Sequence, residues 1–466
     1  MKRRKFIKNS LILTAGTQLS TLSNVWAAPL SPLWEVSDAS SVNTLNIQST
    51  SHQVADSLPA TRIWSFAKNS FAPAIIATQN QPLKIIANNQ LPGEKVAVHW
   101  HGIRLPNNMD GVPGLTQPPI KYKEKFTYQY TPPDAGTYWY HTHSNSIEQL
   151  GRGLVGPLIV KEQEEYPVDQ DLIVFVKDFR FAKDAQIVDN FSNFHNMAHE
   201  GNIGNVVTVN GQLRPTLSLK PNSRVRLRFI NASNARIIQP VFPEEMKATI
   251  IAWDGNPIDP VAHFKIPLAP GNRFDVVVDI PESSKEVFVQ DDYYRNYQMF
   301  GIQSLGKKVR SKLLGEVKKL PDNPQPKLDL NKTWDLDLVL EGGAMSGMMG
   351  MFSSGGIWQL NGMSMEKDKM GAGKPIFNMK MGVVYKIKIT NATALQHPMH
   401  FHGHSFQVLS KMPSRPKAPY WSDTVLIPPK GETTIALKAD NPGKWMIHCH
   451  IIEHQDSGMM ATFNVA

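Results

Sequence analysis

The sequence predicts an all-β protein built as three Greek-key β-sandwich units, and three observations carry that expectation. Among 466 residues, 34 prolines and 31 glycines favour many short strands and turns over long helices. One pattern occurs twice in full. PLKIIANNQ, VHWHGI, AGTYWYHTHS and GPLIVKE in the first third match VVYKIKITNAT, HPMHFHGHSFQVL, PGKWMIHCHIIEH and MATFNVA in the last. Between them, SRVRLRFINASNARIIQPVF and RFDVVVDI repeat the strand-and-asparagine scheme without paired histidines. A repeat of roughly 130–140 residues signals duplicated domains, and alternating strands punctuated by Pro and Gly suit sandwiches.

Residues 1–28 read as a leader: KRRKFIK, a short apolar run, then small residues near Ala28. Arg3-Arg4 followed by Phe6 and Lys8 resembles a twin-arginine export signal, with an ordinary secretory leader as the alternative. Export by the twin-arginine machinery implies a periplasmic protein delivered already folded. Lys2, Arg3, Arg4, Lys5 and Lys8 supply five of the positive charges behind the net +9, so the rest of the chain is only mildly basic. Nothing resembles a nucleic-acid module, and no later run approaches the ~18 apolar residues of a membrane span. The single cysteine cannot form an internal disulfide, and metal ligation would protect it in an oxidising compartment.

The first unit is expected over 45–163, the middle one over 164–315 and the third over 328–466. The segment KKVRSKLLGEVKKLPDNPQPKLD reads as a charged, proline-bearing linker into the third. His195, His199 and His263 in the middle unit lack strand-spaced partners and read as surface or structural histidines. That unit is expected to act as a ligand-poor spacer.

The chemistry concentrates in His448–Met460, HCHIIEHQDSGMM. Cys449, His454 five residues on and Met459 ten residues on supply a thiolate, an imidazole and a weak axial thioether. With one more imidazole these make the ligand set of a blue-copper electron-transfer site. PGKWMI before them reads as a strand, where neighbouring side chains point to opposite faces. Cys449 then points one way while His448 and His450 point the other, toward a second metal centre. Further histidines stand at His99 and His101, His141 and His143, and His397, His400 and His402. Spacing of two on a strand puts both imidazoles of a pair on one face.

With these motifs in hand, the chain resembles the three-domain bacterial multicopper oxidases of the laccase and copper-efflux kind, across its whole length after the leader. The resemblance implies cupredoxin-like sandwiches and four copper ions, one type 1, one type 2 and two type 3. His397, Cys449, His454 and Met459 would bind the type 1 copper, and His99 and His400 the type 2. One type 3 copper would take His101, His141 and His450, and the other His143, His402 and His448. The implied activity is one-electron oxidation of a reducing substrate coupled to four-electron reduction of dioxygen to water. Cys449 would link the two centres, and Asp110 in NNMDGVPG would donate protons. The alternative is an exported copper-binding or scaffold protein that keeps the fold without turnover. The family's usual carboxylate after the second type 1 histidine is Gln455 here, which leaves Glu148 or Asp456 as substitutes. Met345–Met351 within GGAMSGMMGMFSSGG resembles the Met-rich insert of copper-efflux oxidases. Thr393 and Leu395, however, stand where those enzymes carry an Asp and a Met for substrate Cu(I). Cu(I), Fe(II) and phenols therefore all remain candidate substrates.

Overall fold

The computed structural model describes residues 34–36, 43–262, 264–283, 285–343, 356–365, 373–411 and 416–466. The leader, His263 and the methionine run Met345–Met351 lie outside the described residues. The rest is strands in three pairs of sheets, with only short helices. In the first pair, the sheet ordered 61–65, 44–52, 83–89, 125–130 faces one ordered 75–78, 155–161, 136–142, 98–101. The middle pair has six strands, 206–209, 170–179, 224–231, 273–279, 249–253 and 256–262, over four, 216–219, 297–304, 287–291 and 240–241. The last has six, 358–360, 333–342, 384–391, 432–438, 406–408 and 420–422, over five, 377–379, 460–465, 443–449, 397–401 and 424–427.

The strand pattern follows from side-chain alternation. Leu83–Asn89 alternates buried and more exposed positions, placing Leu83, Ile85 and Ala87 in the core and Lys84 in solvent. Gly136–Thr142 and Arg224–Asn231 are instead buried throughout, because they lie where units pack together. In the strand RVRLRF, Arg226 and Arg228 are fully buried. Arg226 donates to Asp275 and Glu162, and Arg228 donates to Asp171 and, at 3.1 Å, to Thr137 Oγ of the first unit. Their charges are tolerable because each is paired and hydrogen-bonded. The linker also packs down. Asn323 exchanges hydrogen bonds with Ala135 of the first unit, and Leu320 is buried against Ile251 and Val277.

One register carries both metal motifs of the third unit. His397–Phe401 pairs antiparallel with Gly443–Cys449 so that Met399 faces Cys449 and His400 faces His448. Directly opposed residues share a face. Hence Cys449, Met399 and His397 occupy one side of the sheet, and His400 and His448 the other.

Candidate metal centres

On the first side, His397, Cys449 and His454 converge. His397 Nδ1 and His454 Nδ1 are 3.1 Å apart, and Cys449 Sγ lies 3.6 and 3.7 Å from them. Ligands to a single tetrahedral ion, bound at about 2.0–2.3 Å, sit about this far apart. All three are fully buried. The outer nitrogens are held by the protein: His397 Nε2 is 2.8 Å from Thr393 Oγ, and His454 Nε2 donates to the His199 carbonyl at 2.5 Å. Trp358 packs against both rings. The short helix Ile452–Asp456 turns the chain so that Met459, also fully buried, follows, with its carbonyl accepting from the Cys449 N–H. Thr393, which departs from the copper-efflux pattern, holds His397 by its hydroxyl.

On the other side, strands of the first and third units bring eight imidazoles into one pocket. His99, His101, His141 and His143 meet His400, His402, His448 and His450, each no more than 2% exposed. His99 stacks on His402 at 3.9 Å between ring centroids, and His101 on His400 at 3.8 Å. His143, His402 and His448 place nitrogens within 4.8 Å of one another, as expected for one trio. His450 joins no such trio, but its ring lies 4.8 Å from His101 and 5.3 Å from His141.

Hydrogen bonds hold the outward nitrogen of most of these rings. His99 Nδ1 donates to the Asp110 carbonyl, His141 Nδ1 to the Thr142 carbonyl, His400 Nδ1 to the Asp423 carbonyl and His448 Nδ1 to the Cys449 carbonyl. His402 Nδ1 donates to Asp110 Oδ2 at 2.8 Å. His101 is reversed: its Nε2 donates to Asp423 Oδ1 at 3.0 Å. The opposite nitrogens of His99, His101, His141 and His400, and both nitrogens of His143 and His450, are buried without a hydrogen-bond partner. A buried polar atom without a partner is costly, and so many aimed at one another fit a site made for metal ions.

Asp110 is buried between two of these rings. It ties His99 of the first unit to His402 of the third. Sequence reading missed Asp423, which ties His101 to His400 and forms a bidentate pair with Arg273 of the middle unit at 2.8 and 2.7 Å. Burial opposes ionisation of Asp423, but the Arg273 guanidinium outweighs it and holds the carboxyl well below the usual range. Asp254 braces Arg273 from behind, accepting from its backbone N–H and from Ser422 Oγ. The glycine of the HWHG motif follows from this packing. Gly102 has φ +86°, and a Cβ there would lie 2.5 Å from Arg273 Nη2 and 2.6 Å from Asp423 Oδ2. Gly271 of the middle unit likewise leaves room for His101 and His450, which a Cβ would approach to 3.0 Å.

The middle unit thus does more than space its neighbours. His199 supplies a carbonyl to one centre, and Arg273 braces the other. Of the carboxylates proposed to replace one at Gln455, Glu148 is committed to Arg152 at 2.8 Å and Asp456 accepts from Gln455 itself. Another acid, Glu453, is fully buried and adjoins His454 in the chain. Burial pushes its carboxyl up to about 7. His52 donates toward the Gly211 carbonyl and His404 toward the His402 carbonyl, away from both centres.

Burial also holds nine of the ten converging imidazoles below their ordinary value, His454 at about 4. They stay neutral, with lone pairs free for a metal. Unfolding returns them to a pKa of about 6.5, so below that pH the unfolded chain binds more protons than the folded one. Stability of the metal-free protein should therefore fall as pH drops through about 6.5. A thermal midpoint that stays level between about pH 7 and about pH 5 would contradict this.

The chain is similar to known multicopper oxidases. Models of multicopper oxidase domains match residues 46–165, 136–303 and 346–466. A multi-copper oxidase structure from Pseudomonas thermotolerans is 32% identical, covers 92% of this chain and all of its own, and superposes with a TM-score of 0.82. A Campylobacter jejuni multicopper oxidase described as a metallo-oxidase is 25% identical, covering 93% of this chain and 96% of its own, with a TM-score of 0.76. A laccase from Cryphonectria parasitica is 28% identical over 85% of this chain and 77% of its own.

Proposed function

This chain belongs to the multicopper oxidase family, and on that premise we propose that its two buried centres hold four copper ions, one type 1, one type 2 and two type 3. The protein is an oxidase that takes electrons from a reducing substrate and uses oxygen as acceptor. Copper at the two centres supplies single-electron transfer at one and four-electron reduction of dioxygen to two waters at the other.

His397, Cys449, His454 and Met459 would hold the type 1 ion, and His99 and His400 the type 2. His101, His141 and His450 would hold one type 3 ion, and His143, His402 and His448 the other. The observation that supports this assignment best is the split between tethered outer nitrogens and unbonded inner ones. Cys449 lies between His448 and His450 in the chain, so its backbone is the shortest covalent path between the centres. Asp110 contacts His99 and His402, which supports the reading that it delivers protons there.

The family acts on metal ions and phenols, and the relatives include both a metallo-oxidase and a laccase. Cu(I), Fe(II) and phenols are all candidates for this chain. The units are read as 45–163, 164–315 and 328–466, a division supported by sheets that close within each range. The first 28 residues are read as a twin-arginine leader to the periplasm, testable by replacing Arg3-Arg4 with Lys-Lys and following export.

The purified protein should absorb near about 600 nm and consume oxygen when given Cu(I), Fe(II) or a dimethoxyphenol. A fully metallated preparation that is colourless and takes up no oxygen with any of the three would overturn the reading. Met459→Leu should raise the type 1 potential while keeping the blue colour, because losing a weak donor destabilises Cu(II) relative to Cu(I). Redox titration giving an unchanged or lower potential would reject Met459 as axial ligand.

A further inference from the structure

We propose that Asp254 is a positioning residue for dioxygen reduction, which takes up a proton as the eight-imidazole pocket is reduced and acts on that pocket through Arg273 and Asp423. The inference rests on the assignment of those imidazoles to copper.

Asp254 and Gly255 form the turn between the strands Thr249–Trp253 and Asn256–Ala262, with φ of +45° and +75°. Asp-Gly suits such a turn, but Asn-Gly serves it equally, so the turn does not account for a carboxylate. Asp254 is fully buried where the three units meet. The first unit closes over the turn: a Cβ on Gly136 would lie 2.3 Å from the Gly255 carbonyl oxygen, and one on Gly255 would lie 2.7 Å from the Tyr138 ring. Ser422 of the third unit and Asn272 of the second donate to Asp254 Oδ2, and the Arg273 N–H donates to Oδ1.

The Arg273 side chain serves two carboxylates. Its Nη1 lies 2.8 Å from Asp423 Oδ1 and 3.4 Å from Asp254 Oδ1. One guanidinium cannot neutralise both, so the two acids are driven apart in proton affinity. Asp423 takes the bidentate pairing and stays ionised. Burial pushes Asp254 up to about 7 against the pull of Arg273, and the charge of Asp423 adds to the rise. The other titratable neighbours among the described residues are occupied. Tyr138, whose ring lies beside the Arg273 guanidinium, is kept protonated by burial, and Asp275 on the neighbouring strand is taken up by Arg226 and Thr137. The linker reaches the turn through Asn323, which carries no charge.

An ionised Asp254 competes with Asp423 for Arg273, which leaves Asp423 a stronger acceptor from His101 Nε2. A more basic imidazole favours Cu(II) over Cu(I). By reciprocity, an electron that reaches the pocket raises the affinity of Asp254 for a proton. The step balances: the reducing substrate supplies the electron, solvent supplies the proton, and one O–H bond forms at Asp254 Oδ2. That hydroxyl donates to Ser422 Oγ, which keeps its own donation to the Thr424 carbonyl. The bond breaks again, returning the proton, when the pocket passes its electrons to dioxygen. A surface groove of about 1,100 Å³, lined by Asn256 and Gln325, brings solvent beside the turn.

The test compares the parent with Asp254→Asn and Ser422→Ala. In metal-free protein, infrared difference spectra should show a buried carboxylic-acid band that the parent loses as pH rises through about 7 and that Asp254→Asn lacks. Glu453 contributes a second such band, so the reading is the component lost in the variant. Ser422→Ala removes a donor to the ionised form and should move the step to higher pH. In copper-loaded protein, the type 2 EPR signal and kcat of the parent should change between about pH 5 and about pH 8 in a step that Asp254→Asn lacks. The blue absorption should be intact in all three. The same infrared titration in parent and Asp254→Asn would overturn the ionisation. So would an unshifted step in Ser422→Ala, which decides the matter if Asp254→Asn fails to fold. Turnover lowered by one factor at every pH, or an unchanged EPR profile, would limit Asp254 to holding Arg273 in place and overturn the coupling. A parent with the infrared step but no type 2 signal would instead sink the copper assignment and the coupling with it, and the ionisation would stand on the infrared titration alone.

Discussion

Replacing Cys449 by serine should abolish the blue absorption and oxidase turnover together while leaving the eight-imidazole pocket intact. Cys449 is the only cysteine, is fully buried and sits 3.6–3.7 Å from two Nδ1 atoms. Burial pushes its thiol up in the metal-free protein, so copper must displace a proton to gain the thiolate. A serine hydroxyl fills nearly the same space but gives up its proton far less readily and binds copper weakly. His448 and His450 face the other side of the sheet and keep their places. The variant should therefore lose about one copper per chain and retain the type 2 EPR signal. Substantial turnover in a fully metallated Cys449→Ser protein would remove Cys449 from the electron path.

Asp423→Ala should have the next largest effect, and at the opposite centre. The change strips the fully buried Arg273 of its bidentate partner, which typically costs about 3–5 kcal/mol. It also removes the acceptor that holds His101 with Nδ1 facing inward. Losing such an orienting group typically costs about 10–100-fold in metal affinity or activity. Turnover should fall by that order with the blue absorption preserved, and the type 2 EPR signal should change, because the Asp423 segment also positions His400. Asp423→Asn keeps an acceptor for His101 but not the charge, so it should recover more of the EPR signature than of the stability. A normal EPR spectrum and full turnover in the alanine variant would limit Asp423 to a structural ion pair.

Side chains that announce a chemistry were legible in the sequence. Pairs spaced for a strand face single out eight of the ten converging imidazoles, the spacing around the lone cysteine adds His454, and His397 stands three residues before His400; the repeat points to the sandwiches. Groups whose role depends on what lies across a unit boundary were not legible. Asp423 stands in YWSDTVLI, where a polar Ser-Asp-Thr triple interrupts an apolar run, and that interruption was the available signal. Arg273 opens RFDVVVDI and reads as a strand-end charge until Asp423 and Asp254 are placed around it. The His199 contribution is a backbone carbonyl, which any residue type could supply, so sequence carries no trace of it. The buried arginines of RVRLRF follow the same rule, since their partners come from three separate segments.

The pairing of Met399 with Cys449 and His400 with His448 also bears on how this protein can vary. Both centres draw ligands from this one pair of strands, each from its own face. A one-residue insertion or deletion between His397 and His402 would turn the residues beyond it to the wrong face, sending a ligand of one centre toward the other. Lengthening is tolerable only outside these strands, in the connections at their ends. Drift within them is confined to exchange in place, so these two strands should keep their length however far the loops around them diverge.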